Sequence, residues 1–341
     1  MLNRKFCLLA FVLSLAVLAL FPSDVLSTGV LDSPENIVKI QAQPQNVILI
    51  SWDGLDRRTV REMYTPKKLP NLKSLSDEGS WHKIDVVGHP TVTKPGHAEM
   101  LTGLSAETTG VYSNQDFQPI PDGYTVFEKL QKHFGKDRIR TIMVTGKLGH
   151  VGGRGPDEVR IEMEKSAKKL KPKQLRKLKN KEIKGEPFYL TKNHLDVFDN
   201  AQRDASQTGP LCLKYLNEYK SARFFAFLHF SDPDHAGHKY GSDSEEYRDA
   251  AAECDKWLGE IVIWLKSENL YDRTLIYVMA DHGFDKDAKT HNNAPHSWLG
   301  TNDRKVNRDG IIADVPATIL AGFGVDINSL DPALLGKPLF E

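Results

Sequence analysis

Four short apolar runs punctuate the chain: Asn46–Trp52 (NVILISW), Ile139–Val144, Phe224–Phe230 and Thr274–Met279. None alternates apolar with polar residues, so each predicts a strand buried on both faces, as in a parallel sheet. Helical patterns separate them, around Leu69–Leu75, at Val126–Phe134 and, longest, from Ser244 to Leu265. In the last, Tyr247, Ala251, Cys254, Leu258, Ile261 and Leu265 recur at 4-3-4-3-4 spacing, one face of an amphipathic helix. Strands alternating with helices predict an α/β fold, a mostly parallel central sheet with helices on both faces.

The ends and one internal stretch break this pattern. Asn3-Arg4-Lys5 precedes an almost unbroken apolar run from Phe6 to Phe21, followed by Pro22, Ser23 and a small-residue site near Val25-Leu26-Ser27. That run is shorter than the roughly 20 apolar residues of a comfortable membrane span. The expectation is a signal peptide over 1–27, removed on export to the periplasm or extracellular space, with membrane contact only before cleavage. Residues 28–45 are polar, Pro-containing and aperiodic, a linker to a catalytic body over 46–341. Within that body, about 155–200 forms an insertion. Its segment Glu164–Lys184 is dense in Lys with few large apolar residues. It reads as a solvated helical insertion, or as a basic cap over an anionic substrate.

Lys+Arg and Asp+Glu balance at 45 each, so no overall field points to nucleic acid or an anionic membrane. The insertion also lacks the interleaved aromatics that single strands stack on, and no nucleic-acid partner is expected. Export would permit a Cys212–Cys254 disulfide. The place of Cys254 on the apolar stripe suits a buried free thiol equally well.

Several strand runs end in metal-ligand residue types. Asp53 follows the first run, Asp234 and His238 follow the third, and Asp281-His282 follow the fourth. In open α/β sheets, sites form beyond the carboxyl ends of the strands, so these clusters should converge. Thr93 stands in His89-Pro90-Thr91-Val92-Thr93-Lys94-Pro95, with Pro95 suited to the first turn of a helix. There its hydroxyl could cap the helix. Alternatively it could attack a phosphoryl group drawn to the free N–H groups, given a metal or base to activate it.

The stretch TVTKPGHAEMLTG from Thr91 to Gly103 resembles the nucleophile segment of type I phosphodiesterases and nucleotide pyrophosphatases of the alkaline phosphatase superfamily. Asp234 to Gly241 (DHAGHKYG) and Ala280-Asp281-His282-Gly283 resemble that family's two metal segments. The resemblance implies an alkaline phosphatase-like fold and two divalent metal ions, for which zinc suits the mixed ligands. It assigns Asp53, Asp281 and His282, with Thr93 bridging, to one ion, and Asp234, His238 and a later histidine to the other. That histidine is His291 or His296. His291 is favoured because Pro295 ties its neighbour to a turn. Asn114, 21 residues beyond Thr93, matches the family asparagine that hydrogen-bonds a non-bridging phosphoryl oxygen. His97 is expected to orient the helix start, and His229 and His235 to be supporting or surface residues.

The implied activity is hydrolysis of a small phosphoester or nucleotide through a phosphothreonine. Two departures bear on the substrate. Gly96 stands where the family usually has Asn, and Lys147, just after a strand, could present an ammonium to a phosphoryl oxygen. Both point toward a phosphomonoesterase on the same site as the alternative. A sulfatase is disfavoured because position 93 is neither Cys nor Ser. A non-catalytic zinc protein would need neither Thr93 nor Asn114. The N-terminal pattern predicts that protein recovered from its host begins near Thr28, as N-terminal sequencing would read; a chain starting at Met1 would contradict cleavage.

Overall fold

A computed structural model describes residues 44–167 and 182–340. The N-terminal apolar run, nearly all of the linker and most of the Lys-rich segment lie outside them. Among the described residues, no helix is long and apolar enough to cross a membrane.

The expected strands form and four more join them. They are β1 (Asn46–Trp52), β2 (Ser80–Asp85), β3 (Arg140–Thr145), β4 (Val197–Asn200), β5 (Phe224–Phe230), β6 (Thr274–Met279), β7 (His296–Thr301) and β8 (Gly310–Ile311). They make one sheet in the order β4-β3-β5-β1-β6-β7-β2-β8. Only β7 runs against the rest, antiparallel to both β6 and β2. The fold is therefore mixed α/β on a mostly parallel sheet.

The apolar runs are continuous because both faces of the sheet are covered. Val47 and Leu49 of β1 lie level with Phe225 and Phe227 of β5 and with Leu275 and Tyr277 of β6. That row packs against the helices Thr93–Thr102, Val126–Phe134 and Asp314–Gly322. The intervening Ile48 and Ile50, level with Ala226, Leu228, Ile276 and Val278, point the other way. They meet the helices Arg57–Met63, Pro70–Glu78, Ala205–Glu218 and Glu245–Ser267. Successive strand residues face opposite sides, so one strand serves two cores.

The helices start where their local chemistry dictates. Ser244 caps Glu245–Ser267 by accepting from Tyr247 N, and the whole Tyr247–Leu265 stripe is buried. Thr125 and Glu128 form a reciprocal capping box at Val126–Phe134. The helix Ala205–Glu218 runs through Gly209 and Pro210, residues that usually interrupt one. Gly209 is required by packing, since a Cβ there would fall 2.0 Å from the Trp257 ring. Cys212 and Cys254 are free thiols buried in the same core, so the free-thiol alternative describes this structure.

Phe227 is fully buried and Ile263 is 62% exposed. Phe227→Ala should cost about 3–5 kcal/mol of stability. Ile263→Ala should stay within about 0.5 kcal/mol, both read by denaturant unfolding.

Candidate active site

The strand order brings the separated motifs together. Lys147, Asp234, Asp53 and Asp281 follow the carboxyl ends of β3, β5, β1 and β6, which are consecutive in the sheet. All four are buried. Lys147 Nζ lies 2.9 Å from Asp53 Oδ2, 2.6 Å from Asp234 Oδ2 and 3.0 Å from Thr93 Oγ1.

Thr93 is the first residue of the helix Thr93–Thr102, with Val92 at the cap position and no side-chain capping bond. Its hydroxyl therefore does not serve as the cap; it faces Lys147 and a cavity of about 290 Å³. Asn114 reaches the same cavity. Its Oδ1 accepts from Lys94 N at 2.9 Å, which orients the amide and leaves its NH2 group as the donor on offer.

Besides Asp53 with His97 and His229, two groups of ligand-type atoms meet here. Asp53, Asp234 and His282 form one, and Asp234, His238 and His291 the other, each with its atoms within 4.8 Å of one another. Asp281 adjoins the first group, its Oδ2 3.4 Å from His282 Nε2. In the second, His291 Nε2 lies 3.1 Å from His238 Nε2 and 3.6 Å from Asp234 Oδ1. His296 is elsewhere, exposed at the start of β7 with its Nδ1 3.0 Å from Asp85 Oδ1.

The histidine tautomers follow from their outer partners. Nδ1 of His282 faces Gly283 O at 2.9 Å, that of His238 faces Lys289 O at 2.9 Å, and that of His291 faces Thr91 O at 2.6 Å. A carbonyl can only accept, so each Nδ1 carries a proton and each ring turns its Nε2 toward the site. Asp53 Oδ1, Asp234 Oδ1, Asp281 Oδ2 and His282 Nε2 are buried without any hydrogen-bond partner. Orphaned acceptors of this kind, aimed at one another, fit divalent cations and little else.

The charges compensate only in part. Burial opposes ionisation of Asp53, yet the Lys147 ammonium and the His229 ring outweigh it and hold the carboxyl well below the ordinary range. Asp234 is lowered likewise, against burial and chiefly by Lys147. Burial works against the Lys147 charge too, but Asp234, Asp53 and Asp281 raise its pKa above that of a free lysine. His150, also lining the cavity, is pushed down to about 4 by burial and by the Lys147 charge, so its ring is neutral at pH 7.

A supporting shell completes the arrangement. His97 donates from Nδ1 to Thr93 O at 2.9 Å, with Asp281 Oδ2 3.1 Å away, and its Nε2 lies 2.8 Å from Ser51 Oγ. His229 Nε2 lies 3.0 Å from Asp53 Oδ2, and Gly54 N donates to Asp281 Oδ1 at 3.0 Å. His235 stands at the exposed rim against Gln202. Ser51, His150 and Gln202 are additions that sequence reasoning missed. Ser51 alone carried a signal, as a polar residue inside an otherwise apolar strand run. Gly96 is explained by packing: a Cβ there would lie 2.7 Å from Asp281 O and 3.1 Å from Asp281 Cβ. Any side chain would push the Thr93 helix off the Asp281 segment.

Residues 47–329 match the type I phosphodiesterase / nucleotide pyrophosphatase family. Ectonucleotide pyrophosphatase/phosphodiesterase family member 7 of Rattus norvegicus is 24% identical over 257 residues, covering 72% of this chain and 51% of the relative. Bis(5'-adenosyl)-triphosphatase enpp4 of Xenopus laevis is 28% identical over 248 residues, covering 70% and 46%. The chain thus spans about half the length of the curated relatives it matches. Among solved structures, an inactive murine ectonucleotide pyrophosphatase / phosphodiesterase 5 in complex with AMP superposes with a TM-score of 0.56 at 13% identity, covering 86% of this chain and 97% of that one. The i-CgsB structure gives 0.57 at 18% identity, covering 87% and 76%. These likenesses show a shared alkaline phosphatase-like fold.

The geometry makes two predictions. His291→Ala should remove bound metal far more than His296→Ala, as elemental analysis would read, because only His291 adjoins Asp234 and His238. Gly96→Ala should lower metal content as well, although it touches no ligand atom, because it displaces Asp281.

Proposed function

The chain belongs to the type I phosphodiesterase / nucleotide pyrophosphatase family, and from that premise we propose that it is a two-metal phosphoric-ester hydrolase acting through a phosphothreonine at Thr93. The observation that carries the reading is the Thr93 hydroxyl. It is free of capping duty, at a helix N-terminus, and opens on the cavity where Asp234, His238 and His291 also meet. Asp53, Asp281 and His282, with Thr93, would hold one ion, and Asp234, His238 and His291 the other; zinc suits this mixture of imidazole and carboxylate. When bound, the ions supply Lewis-acid charge that lowers the pKa of the hydroxyl and offsets charge on the entering and departing oxygens.

The residues of the chain then have distinct tasks. Thr93 Oγ1 attacks phosphorus in line and the ester oxygen departs, leaving phosphothreonine. Water next attacks the same phosphorus, and the Thr93 oxygen is expelled and reprotonated. The Asn114 NH2 group donates to a non-bridging phosphoryl oxygen, as its Lys94-anchored orientation supports. His97 holds the helix start through the Thr93 carbonyl, and so fixes the direction of attack.

One observation favours a second reading on the same site, a phosphomonoesterase. The Lys147 ammonium is buried within 3.0 Å of Thr93 Oγ1, a cation beside the nucleophile that fits a dianionic monoester better than a monoanionic diester. Export to the periplasm or extracellular space belongs to the proposal as well, on the strength of the N-terminal basic and apolar pattern. A small phosphoester or nucleotide substrate is supported by the named activities of the relatives.

Purified protein should carry about two metal ions per chain and lose activity to a chelator. An active, metal-free protein would refute the site. Thr93→Ala should keep its metals yet lose most of the rate, and Thr93→Ser should lose much less. Asn114→Ala should raise the barrier by about 2–4 kcal/mol. Two displacements return a chiral phosphoryl group with retained configuration, so inversion would mean that water attacks directly.

A further inference from the structure

The cavity that holds Thr93 has two sides. Thr93, Asn114, Lys147, Asp234, His238 and His291 surround the place of the phosphoryl group, and the remaining wall is made by Leu148, His150, Gln202 and His235. The leaving group must lie against that second wall. It contains two imidazoles, one carboxamide and one aliphatic side chain, and among the described residues no Phe, Tyr or Trp lines the cavity.

We propose that this wall is built for a compact, hydroxyl-bearing leaving group, so that the preferred substrate is a sugar or polyol phosphate and not a nucleotide. The inference rests on the hydrolase reading above and names its substrate class.

Three observations carry it. First, proteins hold nucleobases chiefly by stacking them on aromatic faces, and among the described residues the lining offers imidazoles but no broad Phe, Tyr or Trp face. Second, a volume of about 290 Å³ falls at the lower edge of small-molecule pockets. It admits a phosphoryl group with one small polyol or sugar, whereas a nucleoside would project into solvent. Third, the wall presents unspent hydrogen-bonding capacity. His150 Nδ1 is buried with no partner, a costly condition that a ligand hydroxyl would relieve. Gln202 is held in place by its neighbours, its Oε1 accepting from Leu148 N at 3.3 Å and its Nε2 lying 3.2 Å from His235 Nε2. That leaves the second N–H of the amide for a ligand. A hydroxyl both donates and accepts, so it can satisfy an imidazole nitrogen and a carboxamide together.

Calorimetric titration of zinc-loaded Thr93→Ala protein tests this without turnover, using glycerol phosphate, glucose 6-phosphate, AMP and inorganic phosphate as probes. The polyol and sugar phosphates should bind at least about tenfold more tightly than AMP. Adding His150→Leu should weaken them about tenfold while inorganic phosphate, which has no leaving group, stays within about twofold. AMP binding as tightly as the sugar phosphates overturns the proposal. So does a parallel loss of inorganic phosphate in His150→Leu, which would make His150 merely structural, and so does a failure of every ester to bind. The two readings fail separately: the expected ranking with no turnover by the unmutated enzyme would refute the hydrolase alone, and turnover with AMP preferred would refute only the leaving-group assignment.

Discussion

Asp53, Asp234 and Asp281 are buried side by side at the ends of adjacent strands. Three carboxylates removed from water repel one another and lose their hydration, a cost that no hydrophobic core offsets by itself. The Lys147 ammonium, in contact with the Oδ2 atoms of Asp53 and Asp234, meets part of that cost. The Oδ1 atoms of both and Oδ2 of Asp281 still face inward unsatisfied. The rest of the site is arranged to hold this surplus of negative charge in one place, ready for cations.

That arrangement depends on parts of the chain that contribute no ligand. Backbone carbonyls of Gly283, Lys289 and Thr91 accept from Nδ1 of His282, His238 and His291 and so aim their Nε2 atoms at the site. His97 links the Thr93 carbonyl to the neighbourhood of Asp281, and His229 steadies Asp53 from the floor of β5. Gly96 lets the two ligand-bearing segments approach closely. The Thr93 helix is buried along all ten of its residues, so the proposed nucleophile sits on an element packed along its whole length.

The two sides of the cavity are supported differently. Asp53, Lys147 and Asp281 lie within three residues of strand ends, and Thr93 and Asp234 in the first turns of helices. Leu148, His150 and Gln202 stand on connecting segments, which tolerate change more readily than the elements they join. On the reading proposed above, the wall of imidazole and carboxamide can change without moving the strand-end residues.

Much of the scaffold was legible because its signals are local. The runs at β1, β5 and β6 read directly as buried strands, β3 shifted by one residue, and the Tyr247–Leu265 stripe faced the core as its spacing required. The short strands β2, β4, β7 and β8 carry no such pattern; β2 is mostly half-buried, and β4 and β8 are too short to show a period. Gly209 and Pro210 hid a helix whose justification is the Trp257 ring beneath it. By itself the sequence determined the strand-and-helix alternation, set by spacing along the chain, and supplied the motifs whose family resemblance marks Thr93 as the candidate nucleophile. Tertiary structure alone decided that His291 and not His296 joins Asp234, that Thr93 Oγ1 turns to Lys147 and not to the helix, and why residue 96 is glycine. Those outcomes depend on which strands lie side by side and how closely their ends approach, and distances through space leave no trace in the order of residues.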